Sequence, residues 1–309
     1  YDGGQAMAAD DIFDVASITK LVPTSTLALQ LIDRQLISAD TPAADYLSEL
    51  TGPCASQLRV RHLLTHTVDF GLRLSSRKDL PAERILSDIL TAQPVSPPGS
   101  VFSYANATSL LLGILVERAC DGRSLGDIAQ RHLFEPLGMH DSTFEPDAVD
   151  PARTVPTERD PWRGREIRGE IHDESAWKLR PLLVPGSAGL FSTVPDLLAY
   201  LSMLLNGGEA GGERLLSKSA VNAMFTNQIA ALDMSTGLGC ELNQPRYMGS
   251  QAEHLIGKTG FTGCVVMCSR RAGRGLAFLS NATWPDRSTE RAAIDAVRRD
   301  VADIVFGSA

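Results

Sequence analysis

The side chains with the clearest chemical potential lie in three short motifs that are far apart in the chain. The first is Ser17-Ile18-Thr19-Lys20, at the predicted start of a helix. On a helix, residues three apart lie on one face, so the Lys20 amine is expected beside the Ser17 hydroxyl. A serine hydroxyl is a weak nucleophile until a neighbouring base takes its proton, and burial near other cations can lower a lysine pKa enough for that role. Alone the motif is weak, because a helix-capping serine beside a solvated lysine has the same sequence.

The second motif is Tyr104-Ala105-Asn106, which follows a Pro-Pro-Gly turn and precedes a predicted helix. On a loop, this spacing can bring a phenol and an amide into one cleft. The phenol can move a proton, and the amide can hold a substrate carbonyl or a lysine side chain. A partly buried tyrosine beside a capping asparagine is the alternative, and it is the better interpretation if the other motifs are ignored.

The third motif is Lys258-Thr259-Gly260, on the first predicted strand of a terminal sheet. A lysine and a threonine hydroxyl suit a substrate carboxylate, and Gly260 would let an extended substrate approach the strand backbone closely. The next backbone N–H, that of Phe261, could form an oxyanion hole with the N–H of Ser17. The motif therefore predicts a strand that binds the negative end of a substrate.

Two other patterns suggest chemistry but fit a structural role better. His62 and His66 are four apart, as in a metalloprotease helix, but the Glu of H-E-x-x-H is missing, so we expect no metal site. Residues 122–126 fit G-x-S-x-G around Ser124, the nucleophile turn of α/β-hydrolases. That turn needs a strand before it, whereas a predicted helix precedes it here. Ser124 with Asp127 is instead predicted to cap the next helix.

The elements that must position these motifs follow from the spacing of apolar residues, Gly and Pro. Helices are predicted over residues 18–36, 110–120, 125–134, 194–205 and 217–225. Later in the chain, short apolar runs separated by Gly predict antiparallel strands over 252–260, 264–270 and 275–282, followed by a helix over 288–306. We therefore expect one domain, 1–309, of α/β (α+β) class, with a mainly helical subdomain over 36–215 and an α/β subdomain over 1–35 and 216–309.

Composition and charge narrow the class of protein. The chain has 309 residues, with 29 Lys and Arg against 37 Asp and Glu for a net charge of −8, and 43% of its residues are apolar. This apolar fraction predicts a globular protein rather than a disordered one, and the acidic balance argues against a nucleic-acid partner. No apolar run approaches the ~20 residues that span a bilayer.

The cysteines and the N-terminal segment bear on the compartment. Five cysteines, an odd number without a C-x-x-C pair, favour small buried side chains and a reducing compartment. Cys264 and Cys268, four apart on a predicted strand, should lie on one face of it. The N-terminal residues lack the basic and apolar segments of a signal peptide. The chain as given therefore favours the cytoplasm, with the cell envelope or secretion expected if its N-terminus is processed.

Taken in order, S-x-x-K, Y-x-N and K-T-G resemble the motifs of the serine β-lactamase and penicillin-binding-protein superfamily. Tyr-Ala-Asn in second place is similar to the class C branch, which includes D-Ala-D-Ala carboxypeptidases (peptidase S12) and family VIII esterases. The resemblance extends over almost the whole chain and includes residues 62–67, 98–106, 171–176 and 189–197. It implies a β-lactamase/transpeptidase-like fold with the active site between the two subdomains. It also implies a helix and two strands before the nucleophile, whereas 16 residues precede Ser17, so we expect a truncated or processed chain, or a sheet short of two strands.

The resemblance further implies acyl-enzyme catalysis without a metal or organic cofactor. Ser17 would attack a carbonyl, and Lys20 and Tyr104 would share the proton transfers. Asn106 would orient Lys20 and the acyl amide. Lys258 and Thr259 would bind the negative end of the substrate, and Lys258 would also lower the pKa of Tyr104. Gly260 would lie beside the substrate. The N–H groups of Ser17 and Phe261 would bind the oxyanion.

The acyl substrate is expected to be a small molecule or peptide with a β-lactam, amide or ester carbonyl. Relatives in this superfamily hydrolyse such groups or transfer the acyl group to an amine or alcohol, and a non-catalytic penicillin-like binder is the alternative of another class. Lys258 favours a substrate carboxylate, which would make a free acid better than its methyl ester by at least about tenfold. The continuation Phe261-Thr262-Gly263 is closer to esterase and peptidase members.

Overall fold

The computed structural model describes residues 6–145 and 150–307, so residues 1–5 of the N-terminal segment discussed above lie outside it. The α-helices of the described residues are α1 Thr26–Asp33, α2 Val60–Leu64, α3 Ala82–Leu90, α4 Asn106–Ala119, α5 Leu125–Ala129, α6 Glu135–Leu137, α7 Glu174–Leu179, α8 Val194–Leu205, α9 Lys218–Met224, α10 Pro245–Met248 and α11 Arg291–Phe306. The strands are β1 Phe13–Asp14, β2 Glu158–Asp160, β3 Arg165–Ile167, β4 Phe191–Ser192, β5 Glu209–Ala210, β6 Glu213–Arg214, β7 Thr236–Gly237, β8 Cys240–Leu242, β9 Ile256–Thr259, β10 Val265–Ser269 and β11 Arg274–Phe278.

The main sheet has five antiparallel strands in the order β11-β10-β9-β8-β7. Three of them, β9 to β11, confirm the consecutive strands predicted near the end of the chain. β9 begins only at Ile256, because Gly249–His254 forms a 3-10 helix before it. The register pairs Met267 of β10 with Gly257 of β9 and with Leu276 of β11. β7 and β8 are not predicted, because runs this short show no alternating pattern.

The interior strand β10 is buried on both faces of the sheet. Val266 and Cys268 belong to the large core, into which α8 packs. Val265 and Met267 belong to a smaller cluster with α10 and α11 on the opposite face. This alternation is the period-two pattern of a strand. Cys264 and Cys268 share the first cluster, which confirms that they lie on one face.

The helix α4 runs through the large core and carries the second motif at its start. Residues 110–116 are all buried, so the helix is apolar on every side. A Cβ on Gly113 would lie 3.1 Å from the Gly186 Cα, which shows how closely the segment after α7 crosses this helix. The predicted helix over 110–120 is confirmed, and it begins four residues earlier, at Asn106.

The prediction of one continuous helix over residues 18–36 is wrong. Ala16–Lys20 forms a 3-10 helix and Leu21–Ser25 a wider, π-type turn, and α1 is the regular part. The break lies at Val22, with φ −114° and ψ 106°, before Pro23, which has no N–H to donate. The first motif therefore lies on a short 3-10 turn rather than on an extended α-helix.

Two further contacts tie the parts of the chain together. β1 pairs with β4, with Phe13 opposite Ser192, so the chain just before the first motif lies beside residues 191 and 192. The helix α8, within 36–215, packs against β10 and β11. The division into subdomains at 36 and 215 remains our proposal.

The fold as a whole is α/β with an antiparallel sheet flanked by helices, as predicted. Among the described helices, none has the length and apolarity needed to span a membrane.

Candidate active site

Ser17 lies on a tightly held turn directly after β1. Ala16 has φ 48°, in the left-handed region that residues other than glycine rarely adopt. Asp14 holds this turn, because its Oδ1 accepts the Ala16 N–H at 2.7 Å and its Oδ2 accepts the His172 N–H at 2.7 Å. Burial raises the pKa of the Asp14 carboxyl. A strained residue held by several hydrogen bonds is typical of a functional turn.

The Lys20 amine lies within hydrogen-bond distance of three oxygens. Its Nζ donates to Ser17 Oγ at 2.9 Å, to Asn106 Oδ1 at 2.8 Å and to Ser187 O at 2.7 Å. Burial lowers the pKa of Lys20, and the charge of Lys258 lowers it further. When neutral, the amine can keep donating to Asn106 and Ser187 while its lone pair faces the Ser17 hydroxyl.

The Tyr104 ring lies close to the lysines of both other motifs. Lys20 Nζ is 5.3 Å and Lys258 Nζ 4.1 Å from the ring centroid. Desolvation raises the pKa of the phenol, but the two ammonium charges outweigh it and lower the pKa to about 8. His66 lies against the same ring, with the centroids 4.8 Å apart. A phenol with this pKa can exchange a proton near neutral pH.

Glu241 is a charged partner of Lys258 that none of the sequence motifs indicates. Lys258 Nζ contacts Glu241 Oε1 in an ion pair, and the Tyr247 O–H donates to Glu241 Oε2 at 2.7 Å. The pairing of β8 with β9 brings them together, because Glu241 lies opposite Gly257. Burial by itself lowers the pKa of Lys258, but the Glu241 carboxylate raises it above the usual value. Lys258 therefore stays charged and already has one carboxylate partner.

The Asn106 amide is held from both ends. Its oxygen accepts from Lys20, and its Nδ2 donates to Asp173 Oδ2 at 2.9 Å. Asp173 also caps α7, where its Oδ1 accepts the Ala176 N–H at 2.9 Å. These contacts turn the amide oxygen toward Lys20. Asp173 lies in the 171–176 segment of the resemblance, but its spacing alone does not reveal this contact.

A cavity of about 490 Å³ opens beside the turn that carries Ser17. The predicted site residues that line it are Ser17, Tyr104, Thr259, Gly260 and Phe261. Packing within the protein requires glycine at position 260, because a Cβ there would lie 2.5 Å from Val15 O. The close approach that requires glycine at position 260 is therefore to the backbone of Val15, just before the turn that carries Ser17. The Phe261 side chain is 58% exposed, and its ring lies 5.6 Å from that of His172.

The structure therefore brings all three motifs to one place. Lys20 links Ser17 to Asn106, and the Tyr104 ring lies near both lysines. The catalytic roles of these residues stay predictions. Ser124 caps α5, as predicted, by accepting the Asp127 N–H at 3.1 Å.

Known proteins share both the sequence pattern and the fold. The sequence model of the family described as Beta-lactamase matches residues 1–299. A protein of Escherichia coli O157:H7 named "Putative D-alanyl-D-alanine carboxypeptidase" is 28% identical over an alignment of 323 positions, which covers 91% of this chain and 73% of the relative. The solved structure of EstCE1, described as a hydrolase with promiscuous acyltransferase activity, matches with a TM-score of 0.73 at 19% identity, over 96% of this chain and 86% of that one. A simvastatin synthase mutant from Aspergillus terreus matches with a TM-score of 0.72 at 21% identity, over 98% of this chain and 83% of that one.

Proposed function

This chain belongs to the beta-lactamase family, and on that premise we propose that it is a serine hydrolase that forms an acyl-enzyme on Ser17. The observation that supports this most directly is the position of Lys20 Nζ, 2.9 Å from Ser17 Oγ. Its other two acceptors are an amide oxygen and a backbone carbonyl, so hydrogen bonds with neutral groups hold the amine in place. A buried lysine with a lowered pKa can take the proton of a serine hydroxyl.

In the acylation step, Ser17 Oγ forms a bond to the carbonyl carbon of the substrate. Its proton passes through Lys20 to the Tyr104 phenolate, which becomes a neutral phenol. The carbonyl oxygen becomes negative and would accept the backbone N–H groups of Ser17 and Phe261. Tyr104 returns the proton to the leaving group as the bond between that group and the carbonyl carbon breaks. The products are a Ser17 ester and a neutral alcohol or amine.

Deacylation reverses these roles with water as the nucleophile. Water loses a proton to Tyr104 and attacks the carbonyl carbon of the ester, and the proton returns to Ser17 Oγ as the acyl bond breaks. An alcohol or amine in place of water gives acyl transfer instead. That second activity appears in the description of EstCE1, which supports measuring both products.

The substrates that we propose are esters, amides or β-lactams. The carboxypeptidase name of the E. coli relative favours a peptide that ends in a carboxylate. Lys258 and Thr259 are the proposed site for that carboxylate, although it would share the Lys258 ammonium with Glu241. Phe102 and Phe261 on the cavity wall favour an apolar group on the acyl side.

The test is the intact mass of the protein after incubation with a penicillin, a p-nitrophenyl ester and a D-Ala-D-Ala peptide. We expect an acyl adduct with at least one of them in the wild type and in the control variant Ser124→Ala, none in Ser17→Ala, and turnover of the same compound. An adduct retained in Ser17→Ala contradicts the proposed nucleophile. A stable adduct without turnover of any compound would favour the non-catalytic binder instead.

A further inference from the structure

We propose that Arg298, on α11, positions the backbone N–H of Phe261 that would bind the oxyanion. The inference rests on the proposed function, because it presupposes that an oxyanion forms at this site. Arg298 lies outside the three motifs, 38 residues after Gly260, and only the fold brings its guanidinium to the loop that follows β9.

Arg298 is 3% exposed, and its guanidinium makes most of its hydrogen bonds to that one loop. Its Nη2 donates to Gly260 O at 2.7 Å and to Cys264 O at 3.0 Å, and its Nε donates to Gly263 O at 3.1 Å. Its Nη1 donates to Asp295 Oδ1 at 2.9 Å, one turn earlier on α11. Three backbone carbonyls of the loop are thus held by one charged group, which also pairs with Asp295, a carboxylate that it shares with Arg246.

The bond to Gly260 O bears directly on the proposed oxyanion donor. The Gly260 carbonyl and the Phe261 N–H belong to the same peptide group, which is planar, so fixing the direction of the C=O also fixes the direction of the N–H. A charged donor on the carbonyl oxygen polarises the peptide group as well, and this strengthens the N–H as a donor.

The loop is held from its other side by the strand that leads to the nucleophile. Thr262 Oγ1 donates to Asp14 O at 2.8 Å, and Asp14 is the residue that holds the Ser17 turn. With Arg298 on one side and β1 on the other, the Phe261 N–H is fixed relative to Ser17. Preorganised donors of this kind stabilise a developing oxyanion more than flexible ones do.

Three variants separate this positioning from general damage to the fold. Arg298→Met removes every donor, Arg298→Lys keeps a charge that can reach fewer carbonyls, and Arg299→Met makes the matched change at the exposed neighbouring position. For an ordinary ester we expect kcat/KM to fall about 10- to 100-fold in Arg298→Met, somewhat less than the loss of a whole oxyanion donor. We expect a smaller loss in Arg298→Lys and no loss in Arg299→Met.

The informative readout is a pair of substrates, an ester and the matching thionoester. They differ at the atom that becomes negative, and sulfur is a weak hydrogen-bond acceptor, so the thionoester gains little from the oxyanion hole. We therefore expect the ester-to-thionoester ratio of kcat/KM to fall by about fivefold or more in Arg298→Met. The pH at which kcat/KM changes as Tyr104 loses its proton, near its pKa of about 8, should be the same in Arg298→Met, because the proton-transfer groups keep their surroundings.

Each outcome decides between explanations. Equal losses on both substrates, or an Arg298→Met enzyme that behaves like Arg299→Met, overturn the positioning role. If Arg298→Met fails to fold, Arg298→Lys decides by the same ratio, and an unchanged ratio there overturns it. A wild type that turns over neither ester and forms no Ser17 adduct refutes the proposed function, and with it this inference.

Discussion

Replacing Glu241 by glutamine tests whether Lys258 binds a substrate carboxylate. Lys258 is buried, 4% exposed, and its ammonium already contacts the Glu241 carboxylate. A substrate carboxylate therefore meets an ion pair rather than a free cation. The sequence alone predicts an acid preference of at least about tenfold, and the ion pair should reduce it in the wild type.

The magnitude follows from the charges around the Lys258 ammonium. With an effective dielectric constant of about 20, an ammonium about 3 Å away attracts a carboxylate by about 5.5 kcal/mol, and a second carboxylate about 5 Å away repels it by about 3.3 kcal/mol. About 40% of the attraction remains. A charge-assisted hydrogen bond of about 1.5–3 kcal/mol then contributes about 0.6–1.2 kcal/mol, which is an acid preference of about three- to eightfold. In Glu241→Gln the repulsion is removed, so the hydrogen bond between Lys258 and the substrate carboxylate contributes its full value of about 1.5–3 kcal/mol, about a 10- to 150-fold preference for the acid.

The assay compares kcat/KM for a free-acid substrate and its methyl ester in three proteins: wild type, Glu241→Gln, and Glu241→Gln combined with Lys258→Ala. Glutamine keeps an acceptor for the Tyr247 hydroxyl, and thermal unfolding checks that the variants fold. An unchanged acid-to-ester ratio in Glu241→Gln refutes the reasoning. A ratio that rises even without Lys258 assigns the carboxylate to another residue.

Three further predictions concern the proton-transfer groups. Lys20→Ala and Tyr104→Phe should each lower kcat by about 10²–10⁴-fold without unfolding the protein, and an unchanged kcat in Tyr104→Phe would remove this residue from the mechanism. Because the pKa of Tyr104 is lowered to about 8, kcat/KM for a neutral ester should rise with pH and level off above that value as the phenolate forms. A flat profile in the wild type, or the same inflection in Tyr104→Phe, would contradict this. Asp173→Asn should lower kcat by about tenfold by freeing the Asn106 amide, with little change in melting temperature because asparagine also caps a helix, and a change in stability without a change in kcat would oppose the positioning role.

The site residues that the sequence predicts are those that lie in local motifs. Ser17 and Lys20 are neighbours on any helical turn, so their 2.9 Å contact appears even though the predicted helix breaks at Val22. Lys258 lies on a strand that the apolar runs near the chain end predict correctly. Local geometry fixes the spacing of the residues within one motif, whereas long-range contacts such as that of Lys20 with Asn106 bring the motifs together.

The residues that the sequence does not reveal act through long-range pairing. Glu241 lies on β8, which has three residues and shows no strand pattern, and only the register with β9 puts it beside Lys258. Asp14 and Asp173 are ordinary acidic residues in sequence, and their partners are 158 and 67 residues away. Spacing carries no information about contacts at such separations.

The two lysines of the site differ in their partners, and this difference supports their separate roles. Lys20 hydrogen-bonds neutral oxygens, and burial lowers its pKa, whereas Glu241 raises the pKa of Lys258. Groups whose surroundings push their pKa values apart are the ones that divide acid and base functions in an active site. We therefore propose Lys20 as the proton acceptor for Ser17, because its lowered pKa makes it easier to deprotonate than Lys258, whose pKa is raised. Lys258 keeps its positive charge 4.1 Å from the centroid of the Tyr104 ring, and together with the Lys20 ammonium this charge lowers the pKa of the phenol to about 8.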